Sequence, residues 1–99
     1  MIYELRIYRL HRKKKKGFLR GFRKSTTFMQ KYGIILVGAW ENKDRDEFVW
    51  LRSFPSLEAR EKAIRAFYDS PEWLAIVEQL RSAIRRREVR LMKSLPPDR

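Results

Sequence analysis

The sequence contains no cysteine and a single histidine, His11. The first absence removes disulfides, thiolate metal sites and cysteine nucleophiles together. The second removes a histidine-rich metal site and leaves one residue able to serve as the axial nitrogen ligand of a haem. No stretch approaches the roughly 20 apolar residues of a membrane-spanning helix. A strand pattern starts at the N-terminus, so no signal peptide is expected. No internal repeat, low-complexity linker or second domain breaks the 99 residues. The expectation is one soluble, cytoplasmic domain over residues 1–99.

Negative charge is also missing over a long stretch. No acid lies between Leu5 and Trp40, a segment that carries the run Arg12–Lys16 and further cations as far as Lys31. With a second cluster at Arg81, Arg85, Arg86 and Arg87, the formal charge reaches +12. Such a field attracts nucleic acid, acidic membranes or small anions; a solvated positive surface is the plainer reading.

What is present organises itself around Phe48–Trp73. Phe48–Phe54 alternates with a strand's period of two. Pro55 stops it, Ser56 can cap a following helix, and Glu58 sits favourably in the first turn. Asp69-Ser70-Pro71 repeats the device, with Ser70 as cap and Pro71 at the first helical position. Upstream, Ile2–Leu10 alternates as a first strand. Phe18, Phe22, Met29 and Tyr32 form a helical stripe, although Gly17 and Gly21 each weaken that helix by about 1 kcal/mol. Gly33 suits a C-terminal cap. Ile34–Glu41 reads as a second strand, joined to the third by a hairpin at Asn42–Asp46. Downstream, Trp73, Ile76, Val77, Leu80 and Ile84 continue at helical spacing, and Glu88–Leu95 alternates as a last strand ended by Pro96-Pro97. The order β-α-β-β-α-β, with its second helix split, predicts an α+β ferredoxin-like fold. Its four-stranded antiparallel sheet has strand order 4-1-3-2 and helices on one face.

The sheet has two apolar faces. The uniformly apolar set Tyr3, Leu5, Ile7, Ile35, Val37, Ala39, Val49, Leu51, Val89 and Leu91 is expected beneath the helices. The opposite face would then carry Ile34, Leu36, Trp40, Phe48, Trp50, Phe54, Tyr8 and Met92 among Glu4, Arg6, Arg52, Glu88 and Arg90. An apolar patch of that size calls for a cover, and a second copy is the simplest. The expected dimer interface therefore comprises Glu4, Arg6, Tyr8, Trp40, Phe48, Trp50, Arg52, Glu88 and Arg90. Glu4 would sit opposite Arg90, and Arg6 opposite Glu88.

The chain resembles the NIPSNAP family of the dimeric α/β-barrel superfamily. The likeness runs through Ile2–Tyr8, Tyr32-Gly33-Ile34 with Leu36–Trp40, the Phe48–Trp73 block including Asp69-Ser70-Pro71-Glu72-Trp73, and Leu95-Pro96. It implies a homodimeric barrel in which two sheets face one another. The wider superfamily includes cofactor-free monooxygenases, haem-degrading proteins, dehydratases and stress-response modules. It implies a small-molecule cavity between sheet and helices, for which Tyr3, Phe22, Ser25, Tyr32, Phe67, Tyr68 and Trp73 are the candidates here, with Thr26 beside them. Aromatic walls with a few hydroxyls suit a planar apolar or aromatic ligand.

For catalysis the inventory is thin. Acid–base work would fall to Glu4, Glu88, Tyr3 or Tyr32, and no phosphate-cradling loop or serine–histidine–acid set is present. Arg6 with Arg52 or Arg90 could grip a carboxylate, against the plainer use of pairing with Glu88 and Glu4. No cofactor and no metal are implied. The expected function is that of a homodimer binding a small apolar or aromatic ligand or a protein. The alternatives are a cofactor-independent monooxygenase acting on an aromatic or quinol, and a binder of nucleic acid or anionic membrane through Lys13–Lys16 and Arg85–Arg87.

Overall fold

The computed structural model describes residues 1–96; Pro97, named above at the end of the last strand, lies outside them. Strand β1 (Ile2–Leu10) leads through a 3-10 turn into α1 (Lys15–Met29). Strands β2 (Ile35–Asn42) and β3 (Glu47–Phe54) form the hairpin, and α2 (Leu57–Tyr68) follows. Two short helices, α3 (Pro71–Leu74) and α4 (Val77–Arg81), precede β4 (Ile84–Lys93). The strands make one antiparallel sheet in the order β2-β3-β1-β4, as the sequence predicts. No helix among the described residues is long and apolar enough to cross a membrane.

The local signals act as expected. The Ser56 hydroxyl accepts from the Ala59 amide at 3.1 Å and opens α2. Ser70 accepts from the Trp73 amide at 3.1 Å and donates to the Phe67 carbonyl at 2.7 Å. One hydroxyl thus ties the end of α2 to the start of α3. Gly33 adopts φ 94°, the left-handed geometry that ends the turn after α1. Gly21 has a different use. A β-carbon there would meet the Leu80 side chain at 2.9 Å, so the missing side chain is what lets α1 approach α4. That approach offsets the helix propensity lost at Gly21.

Two expectations need correction. The stripe from Trp73 to Ile84 is not one helix. The chain leaves helical geometry at Ile76 (φ −123°, ψ −5°), and β4 starts at Ile84 rather than Glu88, pairing Ile84 with Leu10. The helical spacing survives because α3 and α4 bury the same side.

The second correction concerns the sheet. On β1 and β3 the faces are inverted. Ile2, Glu4, Tyr8, Leu10, Phe48, Trp50, Arg52 and Phe54 are all buried, with Phe54 and Glu4 at 0% exposure. Tyr3, Leu5, Ile7, Val49 and Leu51 lie on the face without helices. Ile34, at 1%, and half-buried Leu36 are likewise on the core side. A register shift between Leu36 and Gly38 then changes the phase of β2. After it Ala39 pairs with Trp50 on the helical side, and Trp40 pairs with Val49 on the open side. On β4 the assigned alternation is right, but the register differs. Glu4 is opposite Leu91 and Arg6 opposite Val89, not Arg90 and Glu88. The inversion follows from chemistry: the larger aromatics fill the space under the helices, and the charges among them pair and hydrogen-bond through Glu4.

Candidate functional site

A cavity of about 320 Å³ lies between the helices and the sheet. Its walls follow from helical spacing. Phe22, Ser25 and Met29 project inward from α1, as Ile64, Phe67 and Tyr68 do from α2. The Ser70 cap fixes the break after α2 and so sets Trp73 against Phe67 and Tyr68, at ring separations of 5.2 and 5.0 Å. Phe22 meets Trp50 edge-on at 5.2 Å. The floor comes from alternate residues of two adjacent strands, Arg6 and Tyr8 of β1 and Trp50 and Arg52 of β3. Arg6 faces Trp50, and Tyr8 faces Phe48, across the ladder.

Under the aromatic walls lies a charged network centred on Glu4. Its carboxylate accepts from Arg6 at 2.6 Å, from Arg52 at 2.8 Å and from Arg60 at 2.7 Å. Arg6 also donates through Nε to the Tyr8 hydroxyl at 2.6 Å, which the Trp50 indole reaches at 3.1 Å. Arg52 donates to the Tyr68 hydroxyl at 3.0 Å, and its guanidinium lies 5.0 Å from the Trp50 ring centre. Burial alone would raise the Glu4 pKa, but the Arg52 charge and the three guanidinium hydrogen bonds hold it below the ordinary value. Arg6 is likewise held above its ordinary value: burial opposes its charge, and Tyr8, Tyr68 and Glu4 outweigh burial. Glu4 and Arg6 therefore each favour the charged form.

The cavity gathers Phe22, Ser25, Phe67, Tyr68 and Trp73 of the seven expected residues. Tyr3 is not among them: it pairs with Ser53 and Met92 on the open face. Tyr32 stands behind the wall, edge-on to Phe67 at 6.2 Å and donating to Glu72 at 2.6 Å. Thr26 spends its hydroxyl on the Arg23 carbonyl. Of the residues assigned to a dimer interface, Glu4, Arg6, Tyr8, Phe48, Trp50 and Arg52 are beneath the helices instead. Trp40, Glu88 and Arg90 belong to the open side.

None of the four acid–base candidates lines the cavity. Glu4 lies beneath its floor with its oxygens engaged by arginines, Glu88 is exposed and paired with Arg90, and the two tyrosines are placed as described. Sequence reading offered Arg6 with Arg52 as a grip for a carboxylate; what it missed is that Arg60, Arg81 and Arg87 join them. Arg6, Arg52, Arg60, Arg81 and Arg87 all line the cavity, and no acidic residue among the described ones does. Alternation puts Glu4, Arg6, Tyr8, Trp50 and Arg52 on one face, but no local signal places the other three arginines beside them.

The basic runs are partly spent on structure. Lys15 bridges Asp46 and Glu41 at 3.1 and 3.2 Å, and Arg12 reaches Asp46 at 3.1 Å. The aromatics of α1 point inward, so no stacking surface interleaves with its exposed cations.

This sheet order, with helices confined to one face and a ligand-sized space beneath them, defines an α+β ferredoxin-like domain. The chain belongs to the NIPSNAP family, whose family model matches residues 3–97. A NIPSNAP family protein of unknown function from Agrobacterium tumefaciens is 26% identical. That pair superposes with a TM-score of 0.84 over 95% of this chain and 87% of the other. An uncharacterised NIPSNAP domain protein from Burkholderia xenovorans, 17% identical, gives 0.84 over 97% and 96%. An antibiotic biosynthesis monooxygenase, 13% identical, gives 0.74 over 97% and 100%. These last two likenesses are of fold. No curated protein matches the sequence.

Proposed function

We propose that this protein is a homodimer that binds a small aromatic ligand in the cavity between helices and sheet. The observation that carries the reading is the cavity itself. Its 320 Å³ is within the range of small-molecule sites, and its aromatic and aliphatic walls converge on a small set of arginines and hydroxyls. A plain core would close on such residues, because interiors pack to crystal-like density. The test is titration with naphthalene derivatives, read by the fluorescence of Trp50 and Trp73. Saturable quenching that is lost on filling the space with Ile64→Phe supports the reading. Quenching that does not saturate, or that Ile64→Phe leaves intact, sinks it.

The dimer is supported by the face that the helices leave uncovered. Leu5, Ile7, Val49, Leu51 and Met92 lie there around Trp40, which is 55% exposed. Glu88 and Arg90 supply charges of both signs, so a second copy of the face is its electrostatic match.

A cofactor-independent monooxygenase is the second reading, favoured by the likeness of fold to an antibiotic biosynthesis monooxygenase. Fold does not transfer activity. Consumption of dioxygen with a hydroquinone substrate, abolished by Trp50→Leu in a folded protein, would establish it.

A further inference from the structure

We infer that the ligand of this cavity is an aromatic carboxylate, with its anionic head on the arginine floor and its ring between the aromatic walls. The inference rests on the cavity being a ligand site and goes further by assigning the ligand's charge.

The floor is unbalanced. Three guanidinium groups, Arg6, Arg52 and Arg60, share the single carboxylate of Glu4, leaving an excess of two positive charges. Arg81 and Arg87 add to that excess at the rim, and no acid among the described residues lines the space. Excess charge near a low-dielectric wall is costly unless a counter-ion enters, and the same environment strengthens the attraction for that ion.

The hydrogen-bonding groups have the same polarity. The Nε of Arg52 is buried and has no partner among the described residues, in a side chain only 1% exposed. Such an unmet donor is rare, and it leaves part of the Arg52 charge uncompensated beneath the floor. The Tyr8 oxygen already accepts from Arg6 and Trp50, and the Tyr68 oxygen accepts from Arg52. Each hydroxyl still has its own proton to give, and no acceptor receives either among the described residues. Arg60 uses only its Nε on Glu4 and keeps both terminal nitrogens free. The unused groups on the floor are therefore donors, which suits a planar oxyanion such as a carboxylate and disfavours a neutral amide or a cation. Above the floor, Phe22, Trp50 and Trp73 offer ring faces and edges to the rest of the ligand.

The test compares 2-naphthoate with its neutral isostere 2-naphthamide, titrated by calorimetry at fixed ionic strength. The carboxylate should bind at least tenfold more tightly. Arg52→Met is the direct variant but risks the fold, because Arg52 anchors Glu4. Arg60→Gln and Tyr68→Phe are therefore used, each expected to cut the preference for the carboxylate several-fold. Arg23→Gln, on the exposed side of α1, removes the same charge as Arg60→Gln and should leave the preference unchanged. Equal binding of the two probes would overturn the anionic head while leaving the ligand site standing. A preference lowered as much by Arg23→Gln as by Arg60→Gln would also overturn it, since net charge would then be the cause. Binding of neither probe would overturn both inferences.

Discussion

At Glu4 one carboxylate stands between three arginines, in a part of the chain where every other charged neighbour is a cation. A buried ion pair gains little over apolar packing, but removing one partner leaves the others unpaired and dehydrated. Glu4→Gln keeps the shape and removes the charge, so it should cost about 3 kcal/mol or more, visible as a lower midpoint in urea. Arg60→Gln should cost less, on the order of 1 kcal/mol, because Arg60 is partly exposed and Glu4 keeps two arginines. The same residue sets an acid response. The Glu4 pKa is lowered in the fold, so the unfolded chain takes up the proton first. Its contribution is present above the ordinary value of 4.5 and is lost as pH falls below it. Glu72 adds to this, its pKa pushed down to about 2 by hydrogen bonds from Lys31 and then Tyr32. Thermal midpoints should fall steadily from about pH 5 towards pH 2 and change little between pH 6 and 8. A flat profile through the acid range would show that these carboxylates do not stabilise the fold.

Among the elements, the break between α2 and α3 carries the most structural consequence per residue. Ser70 is 3% exposed, and its hydroxyl both accepts from Trp73 and donates to Phe67. Ser70→Ala should cost roughly 1–2 kcal/mol by cap loss. It should also loosen Trp73, seen as a red shift in tryptophan emission and weaker retention of an aromatic probe. An unchanged emission spectrum would mean that packing alone holds Trp73. This break was legible in the chain because Asp69-Ser70-Pro71 states it locally, and the same is true of Ser56, Gly33 and the order of strands and helices. Which face of the sheet is buried was not legible. Alternation separates two sets of residues without saying which one meets the helices, and here both sets are rich in apolar groups. Charge is the usual tiebreaker, and it misleads at Glu4, Arg6 and Arg52 because those side chains satisfy one another inside. The phase change at Leu36–Gly38 compounds the difficulty, since a bulge exchanges the faces within a single strand. Arg6 and Arg52 were legible as a pair, but the full arginine floor was not. Its members are far apart in sequence and meet only once β1, β3 and α2 have packed.

As a whole molecule, the domain is a sheet with helices on one side and little on the other. Helical cover protects the Trp50 side, whereas Val37, Trp40 and Met92 on the far side are exposed by 50, 55 and 42%. Burying such a face recovers about 25 cal/mol for each Å² of apolar surface, against the rotational and translational cost of association. The face is also the site least able to tolerate a new charge in a dimer and most able to tolerate it in a monomer. Leu51→Asp places a carboxylate at its centre, beside Leu5 across the ladder. If two copies cover one another there, the variant sediments as a folded monomer while the parent protein sediments as a dimer, because each copy would bury an unpaired carboxylate against the apolar face of the other. Lys13→Gln, in the exposed basic run, changes charge by the same amount and should leave the dimer intact. A parent protein that remains monomeric over a hundredfold concentration range would leave the face without its second copy. A Leu51→Asp variant that still dimerises would move the interface to another surface, since no dimer buried at this position could accept both charges without a large loss of affinity.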